Sequence, residues 1–315
     1  MMFAARCIGI SLAVFVLVYM PLSLAVGRGW RLFWQICKPA SARGSANFLF
    51  ALRIFPLAAA SVLTFVFTLP SFLLLEPRAA DEAVGAAPTA LGLCCLALLA
   101  VGMARTISAH RRTSRALAKW LDGSTVLQSG APAAVFRTGL DTPTLTVAGI
   151  RDPKVLVSEA AVAALTPAEL RTALRHEMAH VRSYDNLKKI LFRFSVFPGM
   201  TSLEHAWSEE SELAADDAAV SSLLDALELA SALIKVSRLR SVNTSAAVTT
   251  GLLHSATALG ERVQRLFAWE GNSASRAHVR SWYALPPVLG MLVLVVTTYG
   301  SALSGLHTVT EWLVR

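Results

Sequence analysis

The stretch LRHEMAHVRSYDN, residues 174–186, holds two histidines four positions apart with a glutamate directly after the first: His176, Glu177 and His180. On a helix turning about 100° per residue, the two imidazoles lie about 40° apart and one turn apart, so both can grip one metal ion. Neutral imidazole suits zinc, and the adjacent carboxylate is placed to act as a base toward water, which is the chemistry of metal-assisted hydrolysis. A catalytic zinc takes three protein ligands and keeps a fourth position open. Downstream, in SEESELAADDAAV, Glu212 and Asp216 stand one turn apart and border the apolar positions Leu213, Val220, Leu223 and Leu227. A carboxylate beside an apolar stripe is costly unless it is paired or bound to metal. Glu212 is therefore read as the third ligand to one zinc ion, and Asp216 as the acceptor for the second ring N–H of a ligand histidine. Glu209, Glu210 and Asp217 are read as a solvated acidic helix start, favoured by the helix dipole. Arg262, in LGERVQRLF, and His254 are the candidates for an extra donor to a developing oxyanion; otherwise Arg262 and Arg265 fall on a solvated helix face.

These side chains need rigid elements under them. Thr166 is a helix cap, Pro167 suits the first helical position and Glu169 completes a capping box, so a helix is expected over about 167–193. Leu170, Leu174, Met178 and Val181 recur at helical spacing and form its core stripe, turned away from the histidines. A second helix is expected from near 208, running on through SSLLDALELASALIKVSRL. The connector FRFSVFPGMTSLEHAW, 192–207, contains Pro198 and Gly199 and is apolar enough to pack in a core, with a bilayer-surface or gating role as the alternative; His205 is not expected to be a ligand. Upstream, AAVFRTG, PTLTVAG and PKVLVSE read as strands, whose edge could pair with an extended peptide or serve purely as scaffold.

The 315 residues are 54% hydrophobic and only 16% charged, with mean hydropathy +0.53, against roughly 25% charge in soluble chains. Four apolar runs, 8–26, 54–75, 88–104 and 285–306, are each close to the roughly 20 residues a spanning helix needs. The first is read as a span, since its core is long and no small-residue cleavage site follows. Basic residues flank alternate sides of these runs. By the positive-inside rule the N-terminus is outside, loop 27–53 inside, loop 76–87 outside, 105–283 cytoplasmic, and 284–315 a last span with a short external tail. The net charge of +8 is thereby assigned to topology and anionic lipid, with no nucleic-acid partner expected. Cys7, Cys37, Cys94 and Cys95 lack metal-site spacing, and no disulfide framework is expected.

HEMAHVRSYDNLKKIL followed by ESELAADDAAV, among four apolar runs, resembles the BlaR/MecR-type bacterial membrane metallopeptidases of the gluzincin kind. The resemblance implies a mainly α membrane protein with four transmembrane helices, and a cytoplasmic α+β zincin-like domain inserted between the third and fourth. It implies a zinc endopeptidase of the bacterial inner membrane: His176, His180 and Glu212 hold the metal, Glu177 acts as base, and the substrate is a cytoplasmic protein such as a transcriptional repressor. Relatives with a penicillin-sensor domain carry it after the last span, where this sequence ends, and no Ser-x-x-Lys motif stands in for it; binding of a β-lactam is not expected. The alternatives are a quality-control peptidase of the HtpX type and a catalytically silent membrane sensor.

Overall fold

The computed structural model describes residues 2–75, 85–128, 133–139, 145–242, 256–269, 299–301, 303–305 and 308. It is mostly helical. The order is α1 (Met2–Cys37), α2 (Ala42–Val62), a π-helical turn (Leu63–Thr68), α3 (Leu69–Leu75), α4 (Ala86–Leu121), β1 (Thr125–Gln128), β2 (Ala134–Thr138), β3 (Leu145–Ala148), β4 (Lys154–Ser158), α5 (Glu159–Ala164), α6 (Pro167–Arg182), α7 (Asp185–Phe194), α8 (Thr201–Ala219), α9 (Leu223–Val242) and α10 (Ala256–Phe267).

Three helical segments, Phe3–Cys37, Ala42–Leu75 and Ala86–Leu121, are long and apolar enough to cross a membrane. Each outruns its apolar stretch: α1 continues past residue 26 to Cys37, and α4 passes residue 104 without a break. The second segment carries Pro56 inside α2 and rejoins α3 through the π-helical turn, where the Thr68 hydroxyl donates to the Leu63 carbonyl. Such local adjustment is how a spanning helix keeps its backbone groups satisfied. The fourth expected span lies largely outside the described residues. Of its described part, Tyr299 donates to the Val66 carbonyl at 2.7 Å and the Leu303 carbonyl accepts from Ser71.

The small sheet has the order β1-β2-β4-β3, with β2 and β4 parallel at its centre and antiparallel edges. Val155, Leu156 and Val157 are wholly buried, the near-continuous apolar run of a strand covered on both faces. The three expected strands are present; β1, TVLQ, was not expected, and its Val126 and Leu127 are exposed. Leu170, Leu174, Met178 and Val181 of α6 pack on the sheet core around Ala173, as their spacing predicts.

Two expected helices are each divided in two. The 167–193 helix stops at Arg182, and Tyr184, at φ 55°, turns the chain into α7. The second helix starts earlier than expected, at Thr201, so 201–207 is helical, and it ends at Ala219. There Ser222 and Asp225 cap a new helix: the Asp225 N–H donates to the Ser222 hydroxyl, and the Asp225 carboxylate accepts from the Ser221 N–H and hydroxyl, a local alternative to continued helix. Leu223 and Leu227 consequently face out, and α8 buries Ser208, Ser211, Ala214, Ala215 and Ala219 instead. These small side chains let α8 approach α6 closely.

The connector between α7 and α8 is packed against the apolar helices α1 and α2. Arg53 on α2, 3% exposed, donates to the Ser195 carbonyl at 2.7 Å and the Ser195 hydroxyl at 2.9 Å, and pairs with Glu204 at 2.9 Å. Tyr19 on α1 donates to the Val196 carbonyl at 3.0 Å, and Trp30 donates to Ser202. Phe192, Met200, Leu203 and Trp207 form one core with Val26, Trp30 and Leu49. The core-packing expectation for 192–207 therefore holds, and the core is shared with α1 and α2. Just past the end of α7 the Ser195 and Val196 carbonyls accept from Arg53 of α2 and Tyr19 of α1, as a chain segment away from water requires.

Candidate metal centre

The capping box that starts α6 is complete: the Thr166 hydroxyl accepts from the Glu169 N–H at 3.2 Å, and the Glu169 carboxylate accepts from the Thr166 N–H at 2.8 Å. Lys235 and Ser231 of α9 also bond this carboxylate. Burial alone would raise the Glu169 pKa, but these partners, with the Thr166 N–H, hold it at about 2. The start of α6 is thus fixed, and with it the rotation of the face that carries the histidines.

His176, His180 and Glu212 come together between α6 and α8. The two Nε2 atoms face each other at 3.2 Å. Glu212 Oε2 is 3.4 Å from His176 Nε2, and Oε1 is 3.6 Å from His180 Nε2. In a tetrahedron of bonds near 2.0–2.1 Å, any two donors are about 3.3 Å apart; these separations are of that size. Two imidazole nitrogens and one carboxylate are also a donor set of catalytic zinc sites, and a three-ligand set leaves a fourth position open.

Carboxylates stand behind both rings. Asp216 Oδ1 is 2.9 Å from His176 Nδ1, close but off the ring N–H direction, so this is an ion contact more than an aligned hydrogen bond. Asp185 Oδ2 is 2.7 Å from His180 Nδ1 and also accepts from the Ser211 hydroxyl at 2.7 Å. With Nδ1 protonated, each ring turns an unprotonated Nε2 toward the shared centre. Asp185 was missed from the sequence. In a continuous helix, a residue five after His180 would sit about 140° away around the axis; the turn at Tyr184 brings it back. The sequence signal was an Asp opening a second helix directly after a Ser-Tyr pair.

Arg262 lies in the centre of this network and not on a solvated face. Its Nε and Nη2 donate to the two oxygens of Asp216 at 2.8 and 2.7 Å, and Nη1 is 3.0 Å from Glu212 Oε2. Its side chain is 9% exposed. Arg265 makes the surface pair with Asp217, and His205 is exposed. His254, the other donor candidate, lies outside the described residues. Glu177 is half-buried, and no hydrogen bond or ion pair joins it to another described residue.

The electrostatics follow from these contacts. Burial would lower His180, but the charge of Glu212 and hydrogen bonds donated to Asp185 and Glu212 raise it to about 10. His176 is raised against its burial by Asp216 and Glu212. Glu212 is held well below the carboxylate range despite burial, by the His180 charge and both rings. Asp216 is lowered against burial mainly by Arg262. A pocket that stabilises a proton on each imidazole stabilises a divalent cation in its place.

A family model described as BlaR1 peptidase M56 matches residues 91–266, more than half of the chain and every residue of this centre. No curated protein and no solved structure matches the chain.

Proposed function

The chain belongs to the BlaR1 peptidase M56 family, and on that premise we propose that it is an integral-membrane zinc endopeptidase that cuts a cytoplasmic protein in regulated proteolysis, with a transcriptional repressor as the substrate. The observation that carries the peptidase reading is the convergence of His176, His180 and Glu212 with a half-buried Glu177 beside them. A zinc ion held by those three residues would supply Lewis-acid polarisation of the scissile carbonyl and acidify the attacking water. Glu177, without another partner among the described residues, accepts the proton of that water and returns it to the leaving amine. Asp185 holds the His180 ring in the tautomer that presents Nε2, and the Asp216 charge stands 2.9 Å behind His176 Nδ1. Arg262 neutralises Asp216 and steadies Glu212, so the centre carries three buried acids without a surplus of unpaired negative charge.

A second reading, a quality-control peptidase acting on membrane proteins, is favoured by one observation. The α7–α8 hairpin is clasped by Arg53, Tyr19 and Trp30 of the spans. Ten residues of α7, at about 1.5 Å each, put the centre roughly 15 Å from that clasp, within reach of segments next to a bilayer.

The test is zinc content and casein cleavage by the detergent-purified chain. Wild type should carry about one zinc, Glu212→Ala should lose it, and Glu177→Gln should keep it while losing cleavage by two orders of magnitude or more. Full cleavage by Glu177→Gln, or no zinc in wild type, refutes the peptidase reading. A cleaved repressor alongside intact bystander membrane proteins in cells distinguishes the first substrate class from the second.

A further inference from the structure

α4 leaves its apolar stretch at Ala104 and continues as RTISAHRRTSR, while α7 runs back toward the spans. They meet at Gly102, where a Cβ would run into the Phe194 carbonyl. Gly102 and Ala109 are both buried and seven residues apart, so they mark one packed stripe of α4. Arg105 and Arg112, each three positions further on, share a second stripe beside the first, and both are exposed. Arg193, next to Phe194 on α7, is half-buried.

Helical side chains lean toward the N-terminus of their own helix. Arg105 and Arg112 therefore lean toward the spans. Arg193, on a helix of opposite direction, leans away from them, so its guanidinium comes near each of the other two, whose charges act on it. Burial first, and then the charges of Arg112 and Arg105, hold Arg193 below the usual guanidinium value. Glu204 is the acid that acts on Arg193, but it is engaged by Arg53. Among the described residues no carboxylate pairs with any of the three arginines. A half-buried arginine flanked by two more cations, with no carboxylate paired to any of them among the described residues, is unfavourable by itself and calls for an anion. The Gly102–Phe194 contact lies two residues inside the end of the apolar run, which sets this cluster at the depth of lipid headgroups.

We propose that Arg105, Arg112 and Arg193 form a binding site for the phosphate of an anionic phospholipid headgroup. Guanidinium forks match phosphate oxygens bidentately. Two of the arginines come from a span and the third from the hairpin of the metal centre, so a bound headgroup ties α7 to α4. Asp185, at the other end of α7, is the residue that holds His180. Lipid charge would thereby steady the metal centre from the membrane side. This inference needs the spans to lie in a bilayer and does not depend on the peptidase reading.

The test uses the full chain in neutral detergent, titrated with short-chain phosphatidylglycerol, short-chain phosphatidylcholine or inorganic phosphate, with the melting midpoint as readout. Phosphatidylglycerol should raise the midpoint saturably, and the other two should not at equal concentration. Arg193→Gln should shift the half-effect concentration about fivefold, since each arginine at a membrane surface contributes about a factor of five. The triple Gln variant should lose the response, and Arg151→Gln, on a surface loop, should keep it. An equal response to phosphatidylcholine overturns the site, and an equal response to inorganic phosphate overturns the lipid assignment. If the triple variant does not purify folded, the Arg193→Gln titration decides: an unshifted curve refutes the proposal.

Discussion

Replacing Asp185 by Asn tests whether the turn at Tyr184 serves the metal centre. Asp185 is 3% exposed, and its Oδ2 takes both the His180 ring N–H at 2.7 Å and the Ser211 hydroxyl at 2.7 Å. Its other oxygen is 3.5 Å from the Lys188 ammonium. Asparagine has nearly the same shape and can keep its carbonyl on the first two donors. Its amide NH2 must then face the Lys188 ammonium, donor against donor, and the charge behind His180 is gone. Loss of a carboxylate behind a ligand histidine typically costs 10- to 100-fold in metal affinity, or about 1.4–2.7 kcal/mol. The misplaced amide argues for the upper half, about 30- to 100-fold. The assay is zinc affinity of the detergent-purified chain by competition with a chromophoric chelator, with circular dichroism as the control for folding. Ser211→Ala, which leaves the carboxylate in place, should lose only a few-fold by the same scale. A folded Asp185→Asn chain that binds zinc within about threefold of wild type would refute the reasoning, because the carboxylate would then have no hold on His180.

Arg262→Met should destabilise the fold by about 3–5 kcal/mol, since it strands Asp216, 1% exposed, without its cation; adding Asp216→Asn should restore part of the loss, and simple additivity in thermal melts would deny the coupling. Gly102→Ala should cost about 1–3 kcal/mol by pushing α4 off α7, read as a lower melting midpoint than that of Gly260→Ala, where a Cβ meets nothing. The Glu169 carboxyl, held at about 2 in the folded chain against its ordinary 4.5, contributes stability that is present above about pH 4.5 and lost as pH falls toward 2. With Lys235 37% exposed, the contribution is roughly 1–2 kcal/mol. Glu169→Gln should remove that part of the acid sensitivity in melts taken between pH 5 and pH 2.5, and an unchanged difference between the two pH values would count against it.

What could be read from the sequence is what short-range physics determines. The start of α6, its capping box and its apolar stripe depend on residues within a few turns, and all appear as read. The meeting of His176, His180 and Glu212 was legible because their chemistry leaves few bland alternatives. Arg262 was harder: it lies 46 residues beyond Asp216 on an amphipathic helix, where an arginine most often faces water. The available signal was charge bookkeeping, because a carboxylate read as buried at Asp216 demands a buried cation, and an Arg on the next amphipathic segment could supply it. The division of the second long helix was signalled too, by Ser222-x-x-Asp225, but uninterrupted helical periodicity outweighed it.

The break at Tyr184 has a different standing, because its causes are tertiary. No glycine or proline stands there, and a tyrosine in the left-handed region costs about 1 kcal/mol or more. Directly after the turn Asp185 gains the His180 ring, and the amide of the next residue, Asn186, donates to the Val147 and Gly149 carbonyls at the end of edge strand β3. A continuous helix would lose both sets of bonds, and at about 1–3 kcal/mol for a charged hydrogen bond their sum exceeds the backbone cost. The same turn redirects α7 toward the spans, where Arg53 and Tyr19 satisfy its trailing carbonyls. One backbone reversal thus supplies the carboxylate behind His180 and the rigid arm that joins the metal centre to the membrane helices. Arg53 of α2 holds the carbonyls at the end of α7, and α7 carries Asp185 at its first residue. The apolar helices and the metal centre are therefore joined by packed, hydrogen-bonded contacts across this helix, and the end of the apolar run at residue 104, which α4 crosses unbroken, does not separate them.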